Sequence, residues 1–242
     1  MLTQGPDKND QNHFENVFVH GCGTGFHKQL MTSGSLHLGF SATAMHYVSV
    51  KPMEVPNHVH AVCADVGSKT AFAEQAAVDW ENILLARATE LVPGGRFICL
   101  NFGIDAAGRY LGNTGGKHMF EHFHKYWKAL HDKGRITKGE YERATFVQYY
   151  RTMEEFCAPF ADPDSRVSRA GLILKANYTK LTKCPYSTAF QDAGGRMSNR
   201  EYAESLIPTM RSWSETVFKT ALTGRESSEI DVIIDEFYQA YS

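Results

Sequence analysis

Eleven histidines and five cysteines are the side chains here with the most obvious capacity for chemistry. His118 and His122 stand four residues apart, a spacing that puts two imidazoles on one helix face, as a metal site needs. Glu121 and Lys125 lie near the same face. Mixed charge of that kind is the ordinary make-up of a solvated helix surface, and surface is the favoured reading. His58-x-His60 falls in the proline-bearing stretch VKPMEVPNHVHAV (50–62) without a matching carboxylate, and reads as structural. Cys22, Cys63, Cys99, Cys157 and Cys184 are scattered, odd in number and form no CxxC pair. That argues against a zinc knuckle or a disulfide framework and for a reduced, cytoplasmic setting. No metal ion is expected.

The elements that must position any site follow from pattern. VFVH (17–20) reads as a short strand, followed by the glycine loop GCGTG (21–25) and a helix turn, FHKQLM (26–31). SGSLHLGF (33–40) reads as a second strand. SATAMHYVS (41–49) leaves its end, where open α/β sheets present ligand-binding loops. Phe72, Ala76, Trp80, Ile83, Leu84, Ala88 and Leu91 recur at helical spacing. Asp79, beside Trp80, reads as packing in that helix. Pro93-Gly94-Gly95 stops the helix, and RFICLNF (96–102) is a buried strand, completing a β-α-β crossover.

Residues 117–158 read as mostly helical, with Met119, Phe120, Phe123, Trp127 and Leu130 on one stripe. GLILKANYTKL (171–181) reads as a returning strand. Ser198 and Glu201 make a capping box for a helix carrying Leu206, Met210, Trp213 and Val217, with Pro208 as a candidate kink and Gly224 as a candidate stop. SSEIDVIIDEFYQAYS is a last helix. The expected organisation is a partial Rossmann-like core over 1–111, a helical cap insertion over 112–168, and a core strand with C-terminal helices over 169–242.

Composition excludes whole classes. With 242 residues, 43% hydrophobic and 21% charged, the chain is neither disordered nor fibrous. Lys+Arg number 25 against 27 Asp+Glu, a net charge of -2, so no nucleic-acid partner is expected. No apolar run approaches the ~20 residues that span a bilayer, so no membrane partner is expected, and the polar opening MLTQGPDKNDQNHFEN is no signal peptide.

VFVHGCGTG resembles the strand-GxGxG element of methyltransferases that bind S-adenosylmethionine (SAM), in which glycines let backbone approach the cofactor at a helix N-terminus. Spacing argues against a literal match. The next strand begins near Ser35, whereas a β-α-β unit takes roughly 30 residues. A glycine turn able to line a ligand site is the better reading; a small unrelated methyltransferase is the weaker one.

A longer stretch, TGFHKQLMTSGSLHLGFSATAMHYVS with DWENILLARATELVPGGRF, GRYLGNTGG, FVQYYRTMEEFCAPF and SLIPTMRSWSE, resembles the SABATH family of SAM-dependent carboxyl methyltransferases. This is the salicylate, benzoate and theobromine methyltransferase group, its bacterial members above all. The resemblance covers most of 17–240. It implies a Rossmann-like α/β sheet with an α-helical cap, SAM as cofactor, a small carboxylic acid as substrate, and a homodimer.

It also implies roles. The family's Gly-Ser-Phe-Tyr element, which contacts the SAM adenine, falls on Thr24-Gly25-Phe26-His27, with Gly25 in place of the serine. Its His-Trp pair, which hydrogen-bonds the substrate carboxylate, falls on His46-Tyr47. Thr43 matches a pocket position, and Phe120 falls near an aromatic pocket wall, a role weighed evenly against plain core. The ribose-binding acid is Asp7 or Asp10, with Asp10 the site candidate. Glu142 and Thr145 match the magnesium position of some members only weakly. Relative to the family, the first, second and final strands of the sheet are missing.

A carboxylate has a reference pKa near 4 and is already a nucleophile at neutral pH. Such an enzyme needs no general base. It must hold the oxygen roughly 3 Å from the methyl carbon, which two donors on the carboxylate, His46 and Tyr47, could do. The competing expectation is an inactive or partner-dependent remnant of such an enzyme.

Overall fold

The computed structural model describes residues 18–113 and 118–242. Two parallel strands, β1 (Leu36–Ala42) and β2 (Leu91–Leu100), flank the long helix α1 (Val66–Glu90), the expected crossover unit. Asp65 caps α1 by accepting from the Ser68 amide at 2.9 Å. The helix buries Phe72, Ala76, Trp80, Ile83 and Leu84, the stripe read from sequence.

Pro93-Gly94-Gly95 does not end the helix; it lies inside β2, at an irregularity where the register jumps from Leu36 opposite Leu91 to Leu38 opposite Arg96. Gly94 is left-handed (φ 82°). A Cβ on Gly95 would stand 2.9 Å from the carbonyl oxygens of Leu36 and Val92, so only glycine lets the strands close here.

Two further short strands, β3 (Gly103–Ile104) and β4 (Arg151–Thr152), pair in parallel. The remaining helices are α2 (Met119–Asp132), α3 (Lys138–Arg143), α4 (Met153–Cys157), α5 (Arg166–Arg169), α6 (Pro185–Asp192), α7 (Asn199–Ala221) and α8 (Ser227–Tyr241). Helices α2, α3, α7 and α8 share one core rich in aromatic rings. Phe218 meets Phe237 at 4.4 Å and Trp127 at 4.9 Å, and Phe123 meets Tyr241 at 4.7 Å. The Ser198–Glu201 capping box opens α7 as read, Met210 is buried from its stripe, and Pro208 sits inside the helix without ending it.

Several sequence expectations are corrected. Residues 18–20 form no strand, and Phe18 and Val19 are exposed; Val17 lies outside the described residues. Residues 26–31 are turns rather than a helix. Their backbone groups are satisfied instead by a buried ion pair at the end of α1. Arg87 donates to the Phe26 and Lys28 carbonyls at 3.2 and 2.9 Å, while Glu90 accepts from the amides of Leu30 and Met31. Residues 172–181 run as irregular chain with Ile173 and Tyr178 exposed, so the returning strand is not formed. β-rich composition makes a strand only where a neighbouring strand takes its hydrogen bonds.

The fourth correction matters most. Residues 144–150 are not helical. They run extended along the loop that follows β1: the Phe146 amide donates to Val59 O at 2.8 Å, Val48 to Val147 O at 3.2 Å and Tyr149 to His46 O at 2.8 Å. Tyr47 and Gln148 form an antiparallel bridge. β-branched and aromatic residues in TFVQYY prefer this pleated conformation, with Phe146, Gln148 and Tyr150 turned inward.

Arg151 ends this run, fully buried. It donates to Met45 O and Ala76 O, both at 2.5 Å, and lies 5.8 Å over the Trp80 ring and 5.6 Å over that of Phe156. Arg151→Met removes both charge-assisted bonds and strands two carbonyls. Urea unfolding is expected to show a loss of about 3 kcal/mol or more; a loss below about 1 kcal/mol would show that this junction is not what holds the loop.

Candidate active site after the first strand

The chain leaves β1 through Thr43, which is exposed and left-handed (φ 52°), its amide bonded to Leu100 O at 2.8 Å. This kink turns Met45 and His46 inward, and both are buried. The His46 ring then stands 4.5 Å from Tyr47, 5.2 Å from Phe102 and 5.7 Å from Tyr150. His46 Nδ1 lies 3.3 Å from Asn101 Oδ1. Asn101 follows β2 as His46 follows β1, so the carboxyl ends of the two parallel strands supply both residues.

Tyr150 is the centre of the box. Its ring meets His60 at 5.1 Å, Phe120 at 6.0 Å and Tyr110 at 6.4 Å, and His60 meets Phe120 at 4.1 Å. Thus the His46-Tyr47 pair and Phe120, more than seventy residues later, line one aromatic enclosure. Phe120 serves both core and wall. His60, Phe120 and Tyr150 are buried, whereas Tyr47 is 37% exposed.

Four polar atoms in this enclosure are buried without a hydrogen-bond partner: Tyr150 Oη, His60 Nε2, Gln148 Oε1 and Asn101 Nδ2. Gln148 stands close enough to His60 to favour its charged form, yet His60 Nε2 and Gln148 Oε1 complete no hydrogen bond; His60 Nδ1 accepts from the Val62 amide at 3.0 Å. Such atoms are uncommon, cost about 1–3 kcal/mol each, and point to a ligand that satisfies them. Burial lowers the pKa of His46 to about 4, with the Asn101 contact opposing and the Arg151 charge reinforcing. Burial, helped by His58, lowers that of His60 to about 3. Burial also drives the Tyr150 phenol upward. At neutral pH the lining is therefore two neutral imidazoles, a phenol and two amides, with the Arg151 cation beneath. Neutral donors over a buried cation suit an anion.

Thr24 and Gly25 are exposed, and nothing lies within 4 Å of a Cβ built on Gly25. Phe26 is half-buried against the Met45–Trp80 cluster, its ring 4.2 Å from His27. His27 Nε2 reaches Tyr47 O at 3.1 Å, so the Thr24–His27 element abuts the His46-Tyr47 element. Asp7 and Asp10 lie outside the described residues. Asp79 is more than packing: it accepts from the Ser49 amide and hydroxyl, each at 2.6 Å, and so anchors the loop on α1. Glu142 pairs with Lys138 at 3.5 Å and the Thr145 hydroxyl accepts from the Val55 amide at 3.0 Å. His118 and His122 are exposed.

Asn101, Gln148, Tyr150 and His60 were not legible as site residues. Asn101 carried a usable signal, since it ends a parallel strand just as His46 nearly does. Gln148 and Tyr150 were hidden by the helical reading of their segment.

His46 gives the site a pH signature. Its folded pKa lies below the 6.5 of the free side chain, so the unfolded chain takes up a proton first. The stability involved is complete above the unfolded pKa and drains away as pH falls towards about 4. Between about pH 7.5 and about pH 5, urea unfolding of the native chain should lose about 2 kcal/mol more than that of His46→Gln. Equal losses would show that His46 is not held neutral by burial.

No curated protein sequence matches the chain. Among solved structures, one titled "Loganic acid methyltransferase with SAH" superposes with a TM-score of 0.71 at 17% identity, over 94% of this chain and 60% of that one. At that identity the likeness shows a shared methyltransferase α/β fold, and this chain spans about three-fifths of the longer protein. A family model described as "SAM dependent carboxyl methyltransferase" matches residues 1–241, nearly the whole chain. The chain belongs to the SAM dependent carboxyl methyltransferase family.

Proposed function

We propose that the chain binds a small organic acid in the Tyr150 box and, with SAM, methylates its carboxylate. The observation that carries this reading is the set of unpartnered polar atoms around Tyr150, beside His46 and Tyr47 at the carboxyl end of β1. A carboxylate takes the Tyr150 hydroxyl, an Asn101 N–H and an imidazole N–H, and Phe120, Phe102 and Tyr47 cover an aromatic or apolar body. The Arg151 charge beneath favours the ionised acid. Thr43 shapes the rim. The family's cofactor is SAM, which supplies a methyl group already activated by its sulfonium. The residues on this side fit one wall of such a site: Phe26 offers a flat face, Thr24 and Gly25 leave its approach open, and Asp10 is proposed for the ribose hydroxyls.

The protein's contribution is positioning. The Tyr150, Asn101 and His60 donors fix one carboxylate edge, with His46 and Tyr47 as its walls, so that the other oxygen is presented towards the Phe26 side. No proton leaves the nucleophile, so neither imidazole is asked to act as a general base. We further propose a cytoplasmic homodimer. Five free cysteines accord with a reducing compartment, and among the described residues no helix is long and apolar enough to cross a membrane.

A specific observation favours the alternative, a module that acts only with a partner or not at all. Leu38, Phe40, Ile98 and Leu100 share one face of the two-stranded sheet and are 57%, 63%, 44% and 50% exposed. Parallel sheets are ordinarily covered on both faces.

Calorimetry with SAM and with a panel of aromatic and apolar acids separates the readings. Binding of both supports the enzyme. Binding of an acid without SAM supports the partner-dependent module, and binding of neither ends both. With labelled SAM, Tyr150→Phe is expected to lower kcat/KM about tenfold or more by removing one donor; an unchanged value would take Tyr150 out of acid binding.

A further inference from the structure

One cluster of ligating groups lies outside the acid-binding box. His58 Nε2, Cys63 Sγ and a Glu121 carboxylate oxygen come within 4.8 Å of one another. They join the turn over 58–63 to the first turn of α2. His58 is only 8% exposed, and its Nε2 makes no hydrogen bond. That nitrogen faces Glu121 Oε2 at 3.7 Å, too far for a hydrogen bond.

The other ring nitrogen has two main-chain neighbours. His58 Nδ1 accepts from the His60 amide at 3.0 Å and lies 3.1 Å from the His60 carbonyl oxygen. Metal binding at Nε2 exchanges the first contact for the second: the ring proton moves to Nδ1 and donates to the carbonyl, which frees the Nε2 lone pair for the cluster. Metal-binding histidines characteristically donate their other ring N–H to a carbonyl in this way. His124 stacks on the ring at 4.8 Å and holds its plane. Cys63 Sγ sits 3.4 Å from the Tyr110 hydroxyl. Burial keeps this sulfur a thiol when it is alone, and a dication beside it reverses that preference.

We propose that His58, Cys63 and Glu121 form a site for a divalent transition-metal ion, zinc by its donor chemistry. An imidazole, a thiolate and a carboxylate around one centre match zinc, and three protein ligands leave a fourth tetrahedral position for water. On binding, the Cys63 S–H proton passes to solvent and the sulfur bonds the metal. Bond lengths of ~2.0–2.3 Å require the ligand atoms to draw in by about 1 Å. Glu121 is half-exposed and free to make that movement. The carboxylate comes from far along the chain, from Glu121 in the first turn of α2. Through His60 and Phe120, the neighbours of these ligands, the metal would clamp one wall of the Tyr150 box.

The test uses the tag-free full chain, stripped with chelator and titrated with Zn²⁺ by calorimetry and with Co²⁺ by absorption. One equivalent of zinc per chain, a raised Tm and a thiolate-to-cobalt charge-transfer band are expected. Loss of an outer hydrogen-bond partner alone costs about 10–100-fold in metal affinity. Removing a ligand, in His58→Gln or Cys63→Ser, should therefore weaken zinc binding by more than about 100-fold. Circular dichroism of the metal-free proteins checks that both variants remain folded. The surface pair variant His118→Ala with His122→Ala should bind as the native chain does. Cobalt binding without the thiolate band, or zinc binding that is lost with His118 and His122 but kept in Cys63→Ser, would overturn the proposal.

Discussion

The buried guanidinium of Arg151 is the constraint on which the site depends. It bonds the carbonyl of Met45 just after β1 and that of Ala76 within α1, and it lies against Trp80 and Phe156. One side chain therefore joins the first strand's loop, the crossover helix and the extended run that contains Gln148 and Tyr150. Burial lowers its pKa to about 10, opposed first by the charge of Asp79, so it remains a cation at neutral pH. A buried cation with both terminal nitrogens committed to carbonyls is rigid. Its field reaches the box above it and adds to the burial that keeps His46 neutral.

The second consequence is local cost. Four polar atoms without partners would be a liability in an ordinary core, and the aromatic rings around them raise that cost by excluding water. The arrangement persists because the surroundings over-determine it. The Tyr47–Gln148 bridge, the Asp79 bonds to Ser49 and the left-handed Thr43 each fix a different point of the same loop. Stability is given up where a ligand returns it, the usual pattern at binding sites.

How much of this the sequence carried depends on the kind of signal. The α1 stripe, the Ser198 capping box and the β1–α1–β2 unit were legible because each rests on local periodicity or a local cap. His46, Tyr47 and Phe120 were legible only through family resemblance, since nothing in their spacing says that they meet. Tyr150 and Gln148 were hidden because TFVQYY follows a helix-forming run, and its extended form comes from pairing with a loop nearly a hundred residues earlier in the chain. The same blindness affected Glu121, whose proximity to His58 and Cys63 is tertiary. The segment 171–181 failed in the opposite sense: its composition suits a strand, but pairing decides the conformation.

The two halves of the proposed reaction are built differently. The acid half is enclosed: its residues follow β1 and β2 or lie on the 144–150 run, segments tied to one another by main-chain bonds. Among the described residues, the proposed cofactor half is one wall, Phe26, held by the Arg87–Glu90 pair through turns rather than by a strand. The apolar sheet face of Leu38, Phe40, Ile98 and Leu100 belongs to neither core. On the proposed reading, selectivity for the acid resides in the main-chain-tied residues around Tyr150, so acid binding is set by this enclosure and is separable from SAM binding at the Phe26 side.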